Sequence, residues 1–304
     1  MQHVLEAHLH PEKDPSVAIR AVYGRWFPWL HYLDRNWAAT NISGIFPREK
    51  ELKDFRQAAW DAYVSYCPPY NDVLEALKDE YRYTVDLLGL AKPGRQSSTD
   101  PDQRLTEHLV LFYGRGKLDL TQEGLVDTFF KRAREPLRAY FFEHAGRTFE
   151  SEKDFPAEVL SRFAQLWTWR LALVRAEMET AGVQTSELAS FGWWFSSGRF
   201  EEGWALRQLT EALSLSRRIH PSYHVLKRLS QIAERFPLDS IGCLSVLVEK
   251  DVEGISIHAW ADDIRTVIQT AIQVGDRSAK AIAVDLIHKL GARGFFEFRN
   301  LLPH

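Results

Sequence analysis

The stretch His258-Ala-Trp-Ala-Asp-Asp-Ile-Arg-Thr-Val-Ile-Gln-Thr-Ala-Ile-Gln-Val-Gly275-Asp-Arg-Ser-Ala-Lys-Ala-Ile-Ala-Val-Asp-Leu-Ile-His-Lys-Leu-Gly291 decides the fold class. It reads as two helices, 258–274 and 276–290, parted by a short glycine joint. Reading back along the chain, the same pattern predicts helices over 237–250, 221–235, 200–214 and 185–195. Reading forward, it predicts one over 294–301. Glycine or proline stands at nearly every joint: Gly198, Pro221, Pro237, Gly254, Gly275 and Gly291. Two helices with two short loops take about 40 residues, the period of HEAT and armadillo repeats. No exact sequence repeat is visible, so the repeat is structural at best. Ile241-Gly-Cys-Leu-Ser-Val-Leu-Val248 has the apolar run of a buried strand. A lone strand has no partner here, so helix is the expectation.

The first half follows the same logic. Val17, Ile19, Val22, Trp26, Trp29, Leu30 and Leu33 form a broad apolar stripe of the kind that faces a core. Pro28 interrupts it and predicts a kink or a split. A second pattern over 51–66 carries Leu52, Phe55, Ala59, Tyr63 and Tyr66 and is stopped by Cys67-Pro-Pro69. Asn71 or Asp72 then caps a helix carrying Val73, Leu74, Leu77, Tyr81, Val85 and Leu88, which Gly89 ends. Residues 92–102 are turn formers and small polar residues and read as a loop. Helical pattern resumes over 105–113, 121–134 and 135–145. The longest helix is expected over 157–180, closed by Gly182. Helix pairs on short loops bury their apolar faces by stacking on the neighbouring pair. The expected fold is therefore all-α, a HEAT/armadillo-like α-solenoid of irregular helical hairpins. An N-terminal helical-repeat part at 1–150 and a C-terminal part at 151–304 are expected to pack as one continuous solenoid.

A chain of 304 residues and 35.1 kDa buries roughly 75% of its unfolded surface, so it needs no disulfide or metal to build a core. Its 45% hydrophobic and 26% charged residues are those of a soluble globular protein. With 38 basic against 41 acidic residues, no whole-molecule basic field attracts nucleic acid, and a nucleic-acid partner is not favoured. Two cysteines, Cys67 and Cys243, make neither a disulfide framework nor a zinc site alone. They fit a reducing cytoplasm. The N-terminal stretch has no basic n-region or apolar h-region, so no signal peptide is expected. The longest unbroken apolar run, Leu109-Val-Leu-Phe-Tyr113, falls far short of the ~20 residues of a membrane span.

Motifs that carry chemistry are few. Tyr113-Gly-Arg-Gly-Lys117 looks like a phosphate loop, but Leu111 stands where the first glycine belongs and Leu118 where the hydroxyl belongs. A helix-ending turn is the expectation. His220 and His224 have i, i+4 spacing, yet zinc needs a third ligand and Pro221 places His220 before the helix. His3, His8 and His10 lie near the terminus and read as surface residues. Cys67 and Cys243 read as small core residues. Ser196-Ser197-Gly198 lacks the nucleophile-elbow pattern. Asp262-Asp263 and Glu201-Glu202 sit at helix starts, where the dipole favours them. No catalytic, cofactor or metal residue is predicted. The basic stretch containing Lys131, Arg132, Arg134 and Arg138 is a candidate contact for an acidic partner. The segment Phe191-Gly-Trp193-Trp194-Phe195-Ser-Ser-Gly198-Arg199-Phe200-Glu-Glu-Gly203-Trp204 holds six aromatics in 14 residues. Trp194 and Trp204 are expected in the core between helix pairs, while Trp193 and Arg199 are candidate contact residues.

The run from Phe191 through Trp204 to Leu206 resembles a segment recurring in the C-terminal helical regions of large bacterial proteins. Those proteins carry NTPase (NACHT- or STAND-like) or sirtuin-like modules and are associated with antiphage defence. Leu290-Gly-Ala-Arg-Gly-Phe-Phe-Glu-Phe-Arg-Asn-Leu-Leu302 resembles the same regions. Tyr23-Gly-Arg-Trp-Phe-Pro-Trp29 and Ala59-Trp-Asp-Ala-Tyr-Val-Ser-Tyr-Cys-Pro-Pro-Tyr70 are similar more loosely. The resemblance implies a non-enzymatic helical-repeat scaffold or sensor whose partner is a protein, an NTPase or a phage component. The family's catalytic modules lie outside the resembling region, and none of their residues carries over. The alternatives are a metal-dependent hydrolase with a site on the inner solenoid face, built on His220 and His224, and a nucleic-acid-binding solenoid.

Overall fold

The computed structural model describes residues 2–90, 100–152, 154–181, 186–216, 218–250 and 255–303. Every regular element among them is a helix, so the chain is all-α. It divides into two compact units, Met1–Leu137 and Arg138–His304. The first holds α1 (Gln2–Ala7), α2 (Val17–Leu33), α3 (Arg35–Ile45), α4 (Lys53–Tyr66), α5 (Asn71–Ala76), α6 (Lys78–Leu87), α7 (Pro101–Gly114) and α8 (Leu125–Arg132). Then come α9 (Glu135–Ser151), α10 (Ala157–Ala181), α11 (Phe191–Ser197), α12 (Glu202–Ser216), α13 (Ser222–Ile232), α14 (Pro237–Lys250), α15 (Ile255–Ala259), α16 (Ala261–Val274) and α17 (Arg277–Ala292).

Several expected boundaries move for local reasons. The helix expected from Asn71 to Leu88 is split, because Leu77 (φ −104°, ψ 14°) leaves helical geometry and is wholly buried. The ambiguous segment from Ile241 to Val248 is helix, inside α14. The helix expected over 185–195 starts as a 3-10 turn, Glu187–Ser190, before α11. The last expected helix, 294–301, is also 3-10, Phe296–Leu301. Gly291 lies within α17, and the joint is made instead by Gly294, whose φ of 94° disfavours any other residue. Gly182, Gly254 and most of the expected loop at 92–102 lie outside the described residues.

In the first unit, Ser16 Oγ accepts from the Ile19 N–H at 3.4 Å and starts α2. Asp34 ends it and starts α3, its N–H donating to Leu30 O at 3.0 Å and its carboxylate accepting from the Trp37 N–H at 2.9 Å. A Cβ on Gly24 would fall 1.8 Å from Ala59 O, so only glycine lets α2 close onto α4. Pro28 does not split α2. The proline cannot donate to Gly24 O, and the Cys67 thiol lies 4.0 Å from that carbonyl while donating to Arg25 O at 3.1 Å.

Deeper in, a chain of polar groups links three helices. Tyr63 and Tyr81 hydroxyls meet at 3.0 Å, Tyr81 reaches His108 Nδ1 at 2.7 Å, and His108 Nε2 lies 3.0 Å from Cys67 O. Beside it, Glu80 receives Arg48 at 2.6 Å and Arg56 at 3.1 Å. Burial disfavours the imidazolium and lowers the His108 pKa from 6.5 to about 4. The unfolded chain therefore binds one more proton than the folded one between these values. Stability is full above the unfolded value, falls as pH drops through this window by about 1.4 kcal/mol per unit, and levels off below it. The expected loss is on the order of 3 kcal/mol. Urea titrations of the wild-type chain and a His108→Gln variant across this range check it, since the variant lacks this component.

The second unit is built on aromatics. Trp194 is wholly buried. Its Nε1 donates to Phe142 O at 2.7 Å. Phe149 meets it edge-on at 5.3 Å, and Phe200 stacks on it at 5.5 Å. Gly198, at φ 66°, turns the chain from α11 towards α12. Trp204 on α12 meets Phe191 of α11 at 6.1 Å and Phe200 at 5.3 Å, as the helix pair predicts, but it is less deeply buried than expected, being half-buried. α11 packs on α12 and α13, α12 on α14, α13 on α14 and α16, and α14 on α17.

Candidate docking surface

α2 reverses the expected assignment of its faces. The buried face is Arg20, Tyr23, Gly24, Phe27 and His31. Of the apolar stripe, Val22 is 50%, Trp26 50%, Trp29 58% and Leu33 74% exposed. The inward face looks polar in sequence, but several of its polar atoms find carbonyl partners, while Arg20 Nε and His31 Nδ1 are buried with none among the described residues. Arg20 donates to Leu9 O at 2.9 Å and Gly44 O at 3.3 Å, and Tyr23 donates to Leu5 O at 2.7 Å. A buried polar group that keeps its hydrogen bonds costs little. Gly24 removes the side chain at the crossing with α4, and Phe27 fills the space between Phe46 and Tyr63.

The outward face is organised. Trp29 and Tyr32 meet edge-on at 6.0 Å. Trp29 separates two apolar grooves. One, of about 440 Å³, runs along Val22, Trp26 and Leu33 under a wall formed by Leu5 and His8. The other, of about 260 Å³, lies between Trp29, Tyr32 and Tyr70. The wall is tethered: Trp37 Nε1 donates to Glu6 at 3.2 Å and Gln2 to Asp34 at 3.0 Å. Two rim carboxylates, Asp14 and Asp72, have partners within the chain. His8 pairs with Asp14 at 2.8 Å, and that hydrogen bond holds the Asp14 carboxyl below its ordinary pKa. Arg35 pairs with Asp72 at 3.5 Å, and Arg25 lies over the Tyr66 ring at 5.3 Å. Contiguous exposed apolar surface of this kind marks interaction sites.

No family model, curated protein or solved structure matches this chain. Its functional reading therefore rests on surface chemistry.

The contact residues expected from sequence are placed elsewhere. Trp193 is half-buried, with Arg147 over its ring at 4.9 Å and His224 edge-on at 5.7 Å. Arg199 donates to Phe149 O at 3.1 Å and Glu152 O at 2.7 Å, tying down the end of α9. Lys131 pairs with Asp127 at 2.7 Å, and Arg138 pairs with the fully buried Glu187. Arg132 and Arg134 are exposed.

His220 precedes α13, its N–H donating to Ala189 O at 2.8 Å, and His224 Nδ1 lies 2.9 Å from Glu150 Oε1. Among the described residues no group of three or more His, Cys, Asp or Glu could hold a metal ion. Burial pushes the thiols of Cys67 and Cys243 up to about 11 and 12, the reverse of an activated nucleophile. At Tyr113-Gly-Arg-Gly-Lys117, Gly116 has φ 71° and the Lys117 N–H donates to Phe112 O at 2.9 Å, so this motif ends α7. No helix among the described residues is long and apolar enough to cross a membrane.

The docking face carried a signal that sequence reading passed over. Ile19, Val22, Trp26, Trp29 and Leu33 recur at 3, 4, 3 and 4 residues. That is a narrow heptad seam, not the broader stripe of a core helix.

Proposed function

We propose that this chain is a non-enzymatic helical-repeat scaffold or sensor that docks protein through the outward face of α2. The observation that carries the reading is the exposed row Val22, Trp26, Trp29 and Leu33, flanked by two grooves on a helix whose other face is locked onto α4. Aromatic side chains held in this way are typical binding hot spots. The finer fold reading is a HEAT-like stack. It is supported within the second unit by the order of packing, in which α11, α13 and α16 follow one another as one layer and α12, α14 and α17 as the other. The resemblance of 191–206 and 290–302 to defence-associated helical regions supports a bacterial antiphage role in the cytoplasm. A partner NTPase or a phage component belongs to that proposal.

A photo-crosslinking residue at Trp29 tests the docking reading in the producing cell. The expected result is a covalent protein adduct of discrete mass from position 29 and none from the exposed Lys53. Absence of any adduct from position 29 refutes it.

A further inference from the structure

We propose that the occupant of the α2 face is α2 of a second copy of this chain, packed antiparallel about a two-fold axis at Trp26. The inference rests on the docking reading above and names its partner. A heptad seam is the pattern by which one helix packs against another, and here four of its five residues, Val22, Trp26, Trp29 and Leu33, are exposed while Ile19 is half-buried. About an axis at Trp26, Leu33 falls against Ile19 of the second copy and Trp29 against Val22. The two Trp26 rings thus meet on the axis, and each contact off the axis occurs twice, as an isologous interface requires. Antiparallel helices also oppose their macrodipoles.

The exposed area fits a second copy. Trp26, Trp29 and Tyr32 are at least half exposed, and a fully buried aromatic covers about 150–250 Å². With Val22, Leu33 and Tyr70 the face offers on the order of 600–800 Å² per copy, close to the ~800 Å² per partner of a stable interface. Self-association also requires a rim free of strong like charge. On that rim Arg35 pairs with Asp72, His8 hydrogen-bonds Asp14, and the exposed Arg25 beside Trp26 lies over the Tyr66 ring. A lipid surface is the poorer occupant, because interfacial helices carry a lysine- and arginine-rich face, whereas the second face of α2 is buried on α3 and α4.

Sedimentation velocity of the full chain up to ~100 µM, a range that reveals even weak association, reads the mass directly. The expected species has twice the 35.1 kDa of the monomer. Trp29→Ser and, separately, Tyr32→Ser are expected to raise the dissociation constant at least ~30-fold while circular dichroism and melting stay as in wild type. Phe296→Ser, an exposed aromatic in the other unit, is expected to leave the dimer intact. Orientation is read with engineered cysteines, the native Cys67 and Cys243 being buried. Ile19→Cys and Leu33→Cys chains, mixed, are expected to form the mixed disulfide in preference to either symmetric one. Symmetric disulfides alone overturn the antiparallel arrangement. A monomer at every concentration overturns the dimer. If position 29 of that monomer still crosslinks a different protein, the docking reading survives alone; if it crosslinks nothing, or the monomer binds phosphatidylglycerol vesicles through α2 instead, both readings fall.

Discussion

Trp194→Ala is expected to cost the second unit about 3–5 kcal/mol, the range for truncating a fully buried Trp. The indole is wholly buried among Phe142, Phe149, Phe163, Trp167 and Phe200. Its Nε1 bond to Phe142 O at 2.7 Å is lost with it, leaving a buried carbonyl one donor short. The neighbours cannot close the gap easily. α9 approaches so tightly that a Cβ on Gly146 would fall 2.7 Å from Trp194 Cδ1. A domain of this size loses on the order of 10 °C in melting temperature for such a change. Calorimetry of Trp194→Ala beside Trp193→Ala checks it: the half-buried Trp193 is expected to cost much less. Equal melting of Trp194→Ala and wild type sinks the core assignment.

Removing the Glu187 carboxylate is expected to be as damaging, by a different route. Glu187 is fully buried in the 3-10 turn before α11. Arg138 donates to one of its oxygens, and Arg170 donates to the other at 2.7 Å. Replacing a buried ion pair by apolar groups can be neutral, but deleting one partner leaves the other charge uncompensated at a cost of about 3–5 kcal/mol. Arg170 is itself only 3% exposed, so Glu187→Ala strands its guanidinium with Glu177 as a remaining carboxylate partner. Glu187→Gln keeps the shape and is expected to lose less. Denaturant midpoints order the three chains: wild type, then Gln, then Ala. A Glu187→Ala midpoint equal to wild type refutes the account.

Much of the secondary structure was legible because it is local chemistry. The span of α14 was read correctly from Pro237 and its apolar period. The broken phosphate loop was read correctly as a helix-ending turn, since Leu111 and Leu118 deny it the residues that hold phosphate. The core role of Trp194 was also legible, as six aromatics around a glycine turn have few ways to avoid one another. The side on which Trp204 meets Phe191 was legible too, but not its depth, because helical phase shows the side of a helix and not how far the neighbouring helix extends over it. The ion pair at Glu187 left no local trace: Arg138, Arg170 and Glu187 lie far apart in sequence, and only the tertiary fold brings them together.

α2 marks the boundary between the two kinds of information most sharply. Its sequence determines a helix, its caps at Ser16 and Asp34, and a seam at Ile19, Val22, Trp26, Trp29 and Leu33. It does not determine which face goes inside, because both faces are rich in large side chains. Tyr23 and Phe27 on one side rival Trp26 and Trp29 on the other. Hydrophobicity favours burial of either, and periodicity reports only that the faces differ. The choice fell to the partner helix. The Gly24 face closes backbone to backbone on Ala59 of α4. There Arg20 and Tyr23 find carbonyls from Leu9, Gly44 and Leu5, which lie well outside the helix in sequence. Close packing at the Gly24–Ala59 crossing and the hydrogen bonds of Arg20 and Tyr23 go with this face, and so the tryptophans were left to the surface.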